Sequence, residues 1–185
     1  MRWRIAAVWL ALTSGCAPAD PATPPAPPIA AQRLRLPTGS TDEGATLDSL
    51  TAFTARVDAD TARMPSIRRQ LELGAGTTGL LTAWRSDAEW QRLHVAADGA
   101  GFSTRDTYWL HDGALVGARL EIHRPGQPVA FEHVWFRRGA LFRWVDAAGR
   151  PLNPEARSTQ SEVDMLRSRF DRIVQALPMA NSEPR

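Results

Sequence analysis

Lysine is missing from this chain, in which all 22 basic residues are arginine. Together with the heavy use of Ala, Gly and Pro, that reads as genomic base composition rather than function. Cysteine occurs once, at Cys16, so no intramolecular disulfide can form and the fold must stand on burial alone. A basic excess is missing as well. The formal net charge is +2, and Arg2 and Arg4 carry all of it, because no acid precedes Asp20. Without those two, 20 arginines balance 20 acids, which argues against the sustained basic footprint of a nucleic-acid binder. Ile5 to Leu12 (IAAVWLAL) is uncharged and apolar, but its eight residues fall well short of the ~20 that span a bilayer.

That run follows the positive start Met1-Arg2-Trp3-Arg4, and the two together predict a signal peptide over residues 1–15. Leu12-Thr13-Ser14-Gly15-Cys16 comes next. It resembles the lipobox of bacterial lipoproteins, in which small residues precede a cysteine that is lipidated and becomes the new N-terminus. Ser14 and Gly15 match that pattern, while the family favours a larger aliphatic residue where this chain has Thr13. The resemblance covers the leader alone. It implies several acyl chains on Cys16, enough for stable membrane attachment. With Ala17 rather than Asp after the cysteine, it also implies sorting to the outer membrane, on the periplasmic face. Ala17-Pro18-Ala19 fits a small-x-small cleavage site too, and cleavage there would release a secreted or soluble periplasmic protein. Residues 16–31 form the lipidated cysteine and a Pro/Ala-rich, disordered tether, with six prolines between 17 and 31. Stretched at ~3.1 Å per residue, it reaches roughly 45 Å.

One domain is expected over 32–180, with a disordered tail at 181–185. Leu47, Leu50, Phe53 and Val57 recur at helical spacing behind the candidate caps Ser40, Thr41 and Asp42, which predicts a helix over 43–60, kept from running on by Pro65. Val163, Leu166, Phe170, Ile173, Val174 and Leu177 mark one face of a C-terminal helix stopped by Pro178, and Thr159 with Glu162 has the spacing of a capping box. Between them lie short runs rich in Val, Leu, Trp, Phe and Thr, punctuated by Asp-Gly, Pro-Gly and Arg-Gly pairs. Tyr108–Val116 and Val134–Phe142 align without gaps, each reading as strand, tight turn, strand, and the turn at 124–128 joins the two hairpins. The fold class is therefore α+β: an antiparallel meander of five or more strands flanked by an N-terminal and a C-terminal helix, with both helices expected on the sheet's apolar face. Residues 86–93 fit either a strand or a short helix, since Ser86 and Glu89 also have capping-box spacing.

Gly74-Ala75-Gly76-Thr77-Thr78-Gly79 matches G-x-G-x-x-G, with Asp98 further on. That fingerprint works only where a strand turns into a helix that holds pyrophosphate, and the hairpin texture here predicts a strand connection, with Asp98 in a turn before Gly99. Glu121, His123, Glu132 and His133 flank the Pro-Gly turn, but alternation along a strand puts Glu132 on the face opposite His133, and no helical zinc spacing accompanies them. A solvated sheet surface is the expectation, with no metal and no cofactor. There is no G-x-S-x-G elbow and no serine in an activating context, so no catalytic residue is assigned.

The domain's tryptophans are Trp84, Trp90, Trp109, Trp135 and Trp144. Trp109 and Trp135 hold equivalent places in the two hairpins, and Phe131, His133 and Trp135 share a strand face, near Arg119, Arg137, Arg138 and Arg143 in sequence. Trp and Arg dominate interfaces, and aromatic faces stack on sugars. The candidate binding residues are thus Trp109, Trp135, Phe131, Arg119 and Arg143, with core packing beneath the helices as the other reading of the two tryptophans. The implied partners are the membrane, through Cys16, and an envelope protein or glycan. A periplasmic enzyme or enzyme inhibitor, with its site between sheet and helices, is the alternative.

Overall fold

The structure, a computed structural model, describes residues 43–74 and 77–178. The leader, Cys16, the tether, the caps Ser40 to Asp42 and the tail 181–185 lie outside the described residues. Helix α1 spans Glu43–Asp60 and helix α2 Arg157–Gln175. Seven strands run between them: β1 (Ser66–Gly74), β2 (Thr77–Ser86), β3 (Glu89–Gly99), β4 (Phe102–His111), β5 (Ala114–His123), β6 (Ala130–Arg137) and β7 (Ala140–Val145). They form one antiparallel sheet in the order of the sequence, so β1 and β7 are its edges. Among the described residues no helix is long and apolar enough to cross a membrane.

The meander follows from the turns. Asp112 and Gly113 take φ values of 50° and 73°, and Arg138 and Gly139 take 53° and 77°, the paired left-handed conformation whose twist suits a two-residue hairpin. Asp87, at φ 55°, opens the β2–β3 turn, so residues 86–93 are the end of one strand, a tight turn and the start of the next. Asp98 and Gly99 belong to β3 rather than to a turn, which comes at Ala100 and Gly101. The glycine-rich stretch joins β1 to β2, and Thr77 to Gly79 begin a strand, not the helix that a phosphate-binding loop requires.

The two helices cover opposite faces, which corrects the expectation of a single apolar face beneath both. Leu50 and Val57 of α1 pack with Trp109, Val116 and Trp135. Val163, Leu166, Phe170 and Ile173 of α2 pack with Leu81, Leu93, Val95, Tyr108, Val134, Phe136 and Trp144. The reason is visible in Tyr108-Trp109-Leu110 and Val134-Trp135-Phe136: these strands are apolar on both sides, and successive side chains point to opposite faces. Each such face needs a cover. Full burial of an aliphatic or aromatic side chain stabilises by ~1.5–3 kcal/mol, and the α2 side holds most of these residues.

The helix ends depart from their sequence signals. α2 begins at Arg157 after Ala156, which offers no side-chain cap. Instead Asn153 Oδ1 accepts the Glu155 N–H at 3.0 Å and its carbonyl accepts the Ala156 N–H at 3.2 Å, a side-chain turn that leads the chain into the helix. Thr159 is therefore not the cap but a first-turn residue buried against the sheet. α1 stops before Pro65, where the Thr61 hydroxyl donates to the Asp58 carbonyl at 2.7 Å and the Arg63 N–H to the Asp60 carbonyl at 2.9 Å.

Candidate functional site

Register turns the α1-side face into rows that cross the strands. The first row is Trp84, Arg92, Trp109, Gly117, Trp135 and Arg143, and α1 sits on it. Asp58 near the helix C-terminus accepts from Arg92 Nε at 2.7 Å and from Trp109 Nε1 at 2.9 Å, while Glu43 at the other end accepts from Arg143 at 3.3 Å. These bonds fix the helix along the row. The Arg92 guanidinium also lies 4.6 Å from the Trp84 ring centre. Trp109 and Trp135 stack at 6.4 Å, and Gly117 between them leaves the room: a Cβ there would stand 2.8 Å from the Trp135 ring.

Two of the sequence candidates are therefore core. Trp109 is 5% and Trp135 7% exposed, so neither offers a ring to a ligand. Arg143 is tied to α1 through Glu43. Phe131 and Arg119 lie elsewhere, in the part of the face that α1 leaves uncovered.

That part begins with the second row, Arg68, Thr82, His94, Thr107, Arg119, His133 and Val145. Thr82 and Thr107 are buried in its floor. His94 Nδ1 lies 3.2 Å from Thr107 Oγ1. The His133 ring stands between Phe131, at 5.5 Å, and Trp135, at 6.3 Å. Burial holds both imidazoles below the usual histidine pKa, helped by the charge of Arg92 on His94 and of Arg119 on His133. At neutral pH they are uncharged, each with one donor and one acceptor nitrogen.

The third row is Gln70, Leu80, Ala96, Arg105, Glu121 and Phe131. Leu80 is 44% and Phe131 46% exposed. Glu121 is held on both sides, by Arg119 at 2.6 Å and by His123 Nε2 at 3.2 Å. The Arg119 guanidinium also lies 5.3 Å from the Phe131 ring centre.

Among the described residues no His, Cys, Asp or Glu side chains converge as a metal-binding group. Glu121 and His123 do share a face, but His133 is a row away, and Glu132 points to the α2 side. There its Oε2 accepts from Trp144 Nε1 at 2.9 Å, and burial raises its pKa against that bond. Between the sheet and α2 lies a shallow depression of about 200 Å³ lined by Leu115, Phe136, Gly139, Arg167 and Phe170. Among the described residues Asp171 is the one carboxylate on its rim.

Sequence reasoning missed the row of His94, Thr107 and His133. Its trace is the alternation in Leu93-His94-Val95 and in Ala118-Arg119-Leu120-Glu121, but only register brings those residues side by side. Compared with known proteins, the chain matches no family model, no curated sequence and no solved structure.

Proposed function

We propose that this protein is an envelope lipoprotein, anchored through lipid on Cys16 in the outer membrane and facing the periplasm, whose domain binds another envelope protein or glycan without catalysis. The leader and its lipobox-like LTSGC support the anchor. The binding role rests on one observation: on a single face of β6, Trp135 is 7% exposed beneath α1, while Phe131 is 46% exposed beyond it. A large aromatic ring left open beside arginine is the residue pairing that interfaces use. Glu121 beside it is engaged by Arg119 and His123, which supports reading it as part of that surface.

Metabolic labelling with palmitate tests the anchor. Wild type takes up label and fractionates with membranes, and Cys16→Ser does neither; a Cys16→Ser protein that stays membrane-bound beside an unlabelled wild type overturns it. A photo-crosslinking residue at position 131 tests the surface in cells. It captures an envelope component there, whereas the same residue at position 165, on the α2 surface and 59% exposed in the native side chain, captures none. Equal capture at both positions, or none at 131, counts against the reading.

A further inference from the structure

We propose that β1 is a docking edge for a second copy of this chain, the two β1 strands pairing antiparallel about Gln70 and joining their sheets. The pairing does not use Phe131, because β1 is the edge of the sheet away from β6.

The two edges of the sheet are finished differently. At β7 the chain folds back: Val145 bridges Pro151, and the Leu152 N–H donates to the Trp144 carbonyl at 2.8 Å. β1 is longer, nine residues against six, and among the described residues nothing pairs with its outer side. Successive residues of an antiparallel strand turn their main-chain groups toward opposite neighbours. The Arg85 N–H donates to the Pro65 carbonyl at 3.1 Å, which sets the phase. Ile67, Arg69 and Leu71 thus face β2, while Ser66, Arg68, Gln70 and Glu72 each turn an N–H and a carbonyl outward. Unpaired groups of this kind are a template for another strand.

The side chains select a copy of the same strand. Arg68, Gln70 and Glu72 are exposed and share the α1-side face, and among the described residues neither Arg68 nor Glu72 is ion-paired. The two charges stand at equal distances on either side of Gln70. A two-fold axis there sets Arg68 of each copy opposite the partner's Glu72, and opposite charges directly across a ladder attract. On the other face the same axis sets Ile67 opposite the partner's Leu73. Both are half-buried against the α2-side core, so the pairing carries that core from one copy to the next. Register is specified, because moving the axis by one residue puts Arg68 opposite the partner's Gln70 or the partner's Gly74, and both ion pairs are lost. The bulge between Glu72 and Gly74 ends regular pairing just beyond the second charge. Arginine alone on an edge keeps other strands away; with Glu72 at the matching place it admits this one.

The test is sedimentation of the full chain, purified in density-matched detergent, at rising concentration. Wild type passes from monomer to dimer. Arg68→Glu and Glu72→Arg each raise the dimer Kd by about tenfold, since like charges then face each other in both halves of the pair. The two changes in one chain restore the wild-type value. Mixing the two single variants restores a dimer as well, because in the mixed pair every charge meets its opposite. Gln70→Cys, once oxidised, gives a disulfide-linked dimer, as directly opposed Cα atoms in such a ladder lie ~5.5 Å apart. Ser66→Cys, away from the axis, gives no more dimer than wild type does. Circular dichroism confirms each fold, and the cysteine variants, which keep both charges, decide the matter should a charge-reversed chain fail to fold. A wild type that stays monomeric up to about 1 mM, a double variant as weak as the single ones, or equal cross-linking at positions 66 and 70 overturns the proposal. None of these results bears on the Phe131 surface, whose own test is capture at position 131.

Discussion

Two rows one residue apart divide this sheet. Ile67, Ala83, Leu93, Tyr108, Ala118, Val134 and Trp144 cross it on the α2 side. Arg68, Thr82, His94, Thr107, Arg119, His133 and Val145 cross it on the other, each one position further along or back in its strand. The first row is apolar from edge to edge and its central members are fully buried. The second is polar at nearly every strand and only partly covered. Both helices are of similar length, yet α2 buries Val163, Leu166, Phe170 and Ile173 along its length, while α1 buries Leu50, Thr54 and Val57. Stability is thus concentrated on one face, and the partly covered polar rows lie on the other. Adjacent residues in a strand belong to these two different faces because the pleat separates them.

The division fails if the two helices prove equally important. Phe170 packs against Tyr108 at 5.8 Å within the larger cluster. Phe170→Ala is expected to cost about 3–5 kcal/mol, and Leu50→Ala on the α1 side to fall toward the low end of about 2–5 kcal/mol. Urea unfolding of both variants checks this. A larger loss for Leu50→Ala would move the structural centre to the α1 face.

A sharper test uses the charge buried on the α2 side. Asp106 of β4 is 2% exposed and pairs with Arg169 of α2 at 2.5 Å, beside Tyr108. Burial raises its pKa from 3.8 to about 6, against the opposing pull of Arg169 and a backbone hydrogen bond from Glu121 on β5. The folded state therefore holds this proton more tightly than the unfolded chain does. The associated stability is fully present below the unfolded pKa, near pH 4, and is lost as pH rises through about 6. At about 1.4 kcal/mol for each unit, the change is up to ~3 kcal/mol. Asp106→Asn should remove that slope, so the difference in unfolding free energy between wild type and variant changes across this window. A constant difference would mean that Asp106 keeps its charge throughout.

How much of this was legible follows the same division. The α2 side announced itself, since Val163, Leu166, Phe170 and Ile173 have helical spacing, and Asp112-Gly113 and Arg138-Gly139 marked hairpins whose turns have the left-handed conformation. That Trp109 and Trp135 are packing was visible only as one of two readings. Each is an apolar residue between apolar neighbours, a pattern that shows both faces are dry somewhere but not which helix covers which. The capping box at Thr159 misled because Asn153 turns the chain a few residues earlier. The polar row was illegible for a different reason: its members come from five hairpin-linked strands, and a bulge such as the one between Trp109 and Leu110 shifts which residues meet.

The smallest expected effect is the most pointed. If the α1-side open row serves binding rather than the fold, its exposed ring can be removed at little cost. Phe131 is 46% exposed, and its contacts are the edge of His133 and the guanidinium of Arg119. Surface aromatic and cation–π contacts of this kind contribute about 0.5–1 kcal/mol. Phe131→Ser should therefore shift the unfolding free energy by no more than ~1 kcal/mol, while Trp135→Ser, on the same strand face beneath α1, costs several times as much through the cavity it leaves. Thermal or urea denaturation of the two variants side by side reads the ratio. Equal losses would make Phe131 part of the core, and the open row would then be one more packed layer instead of a place for a ligand.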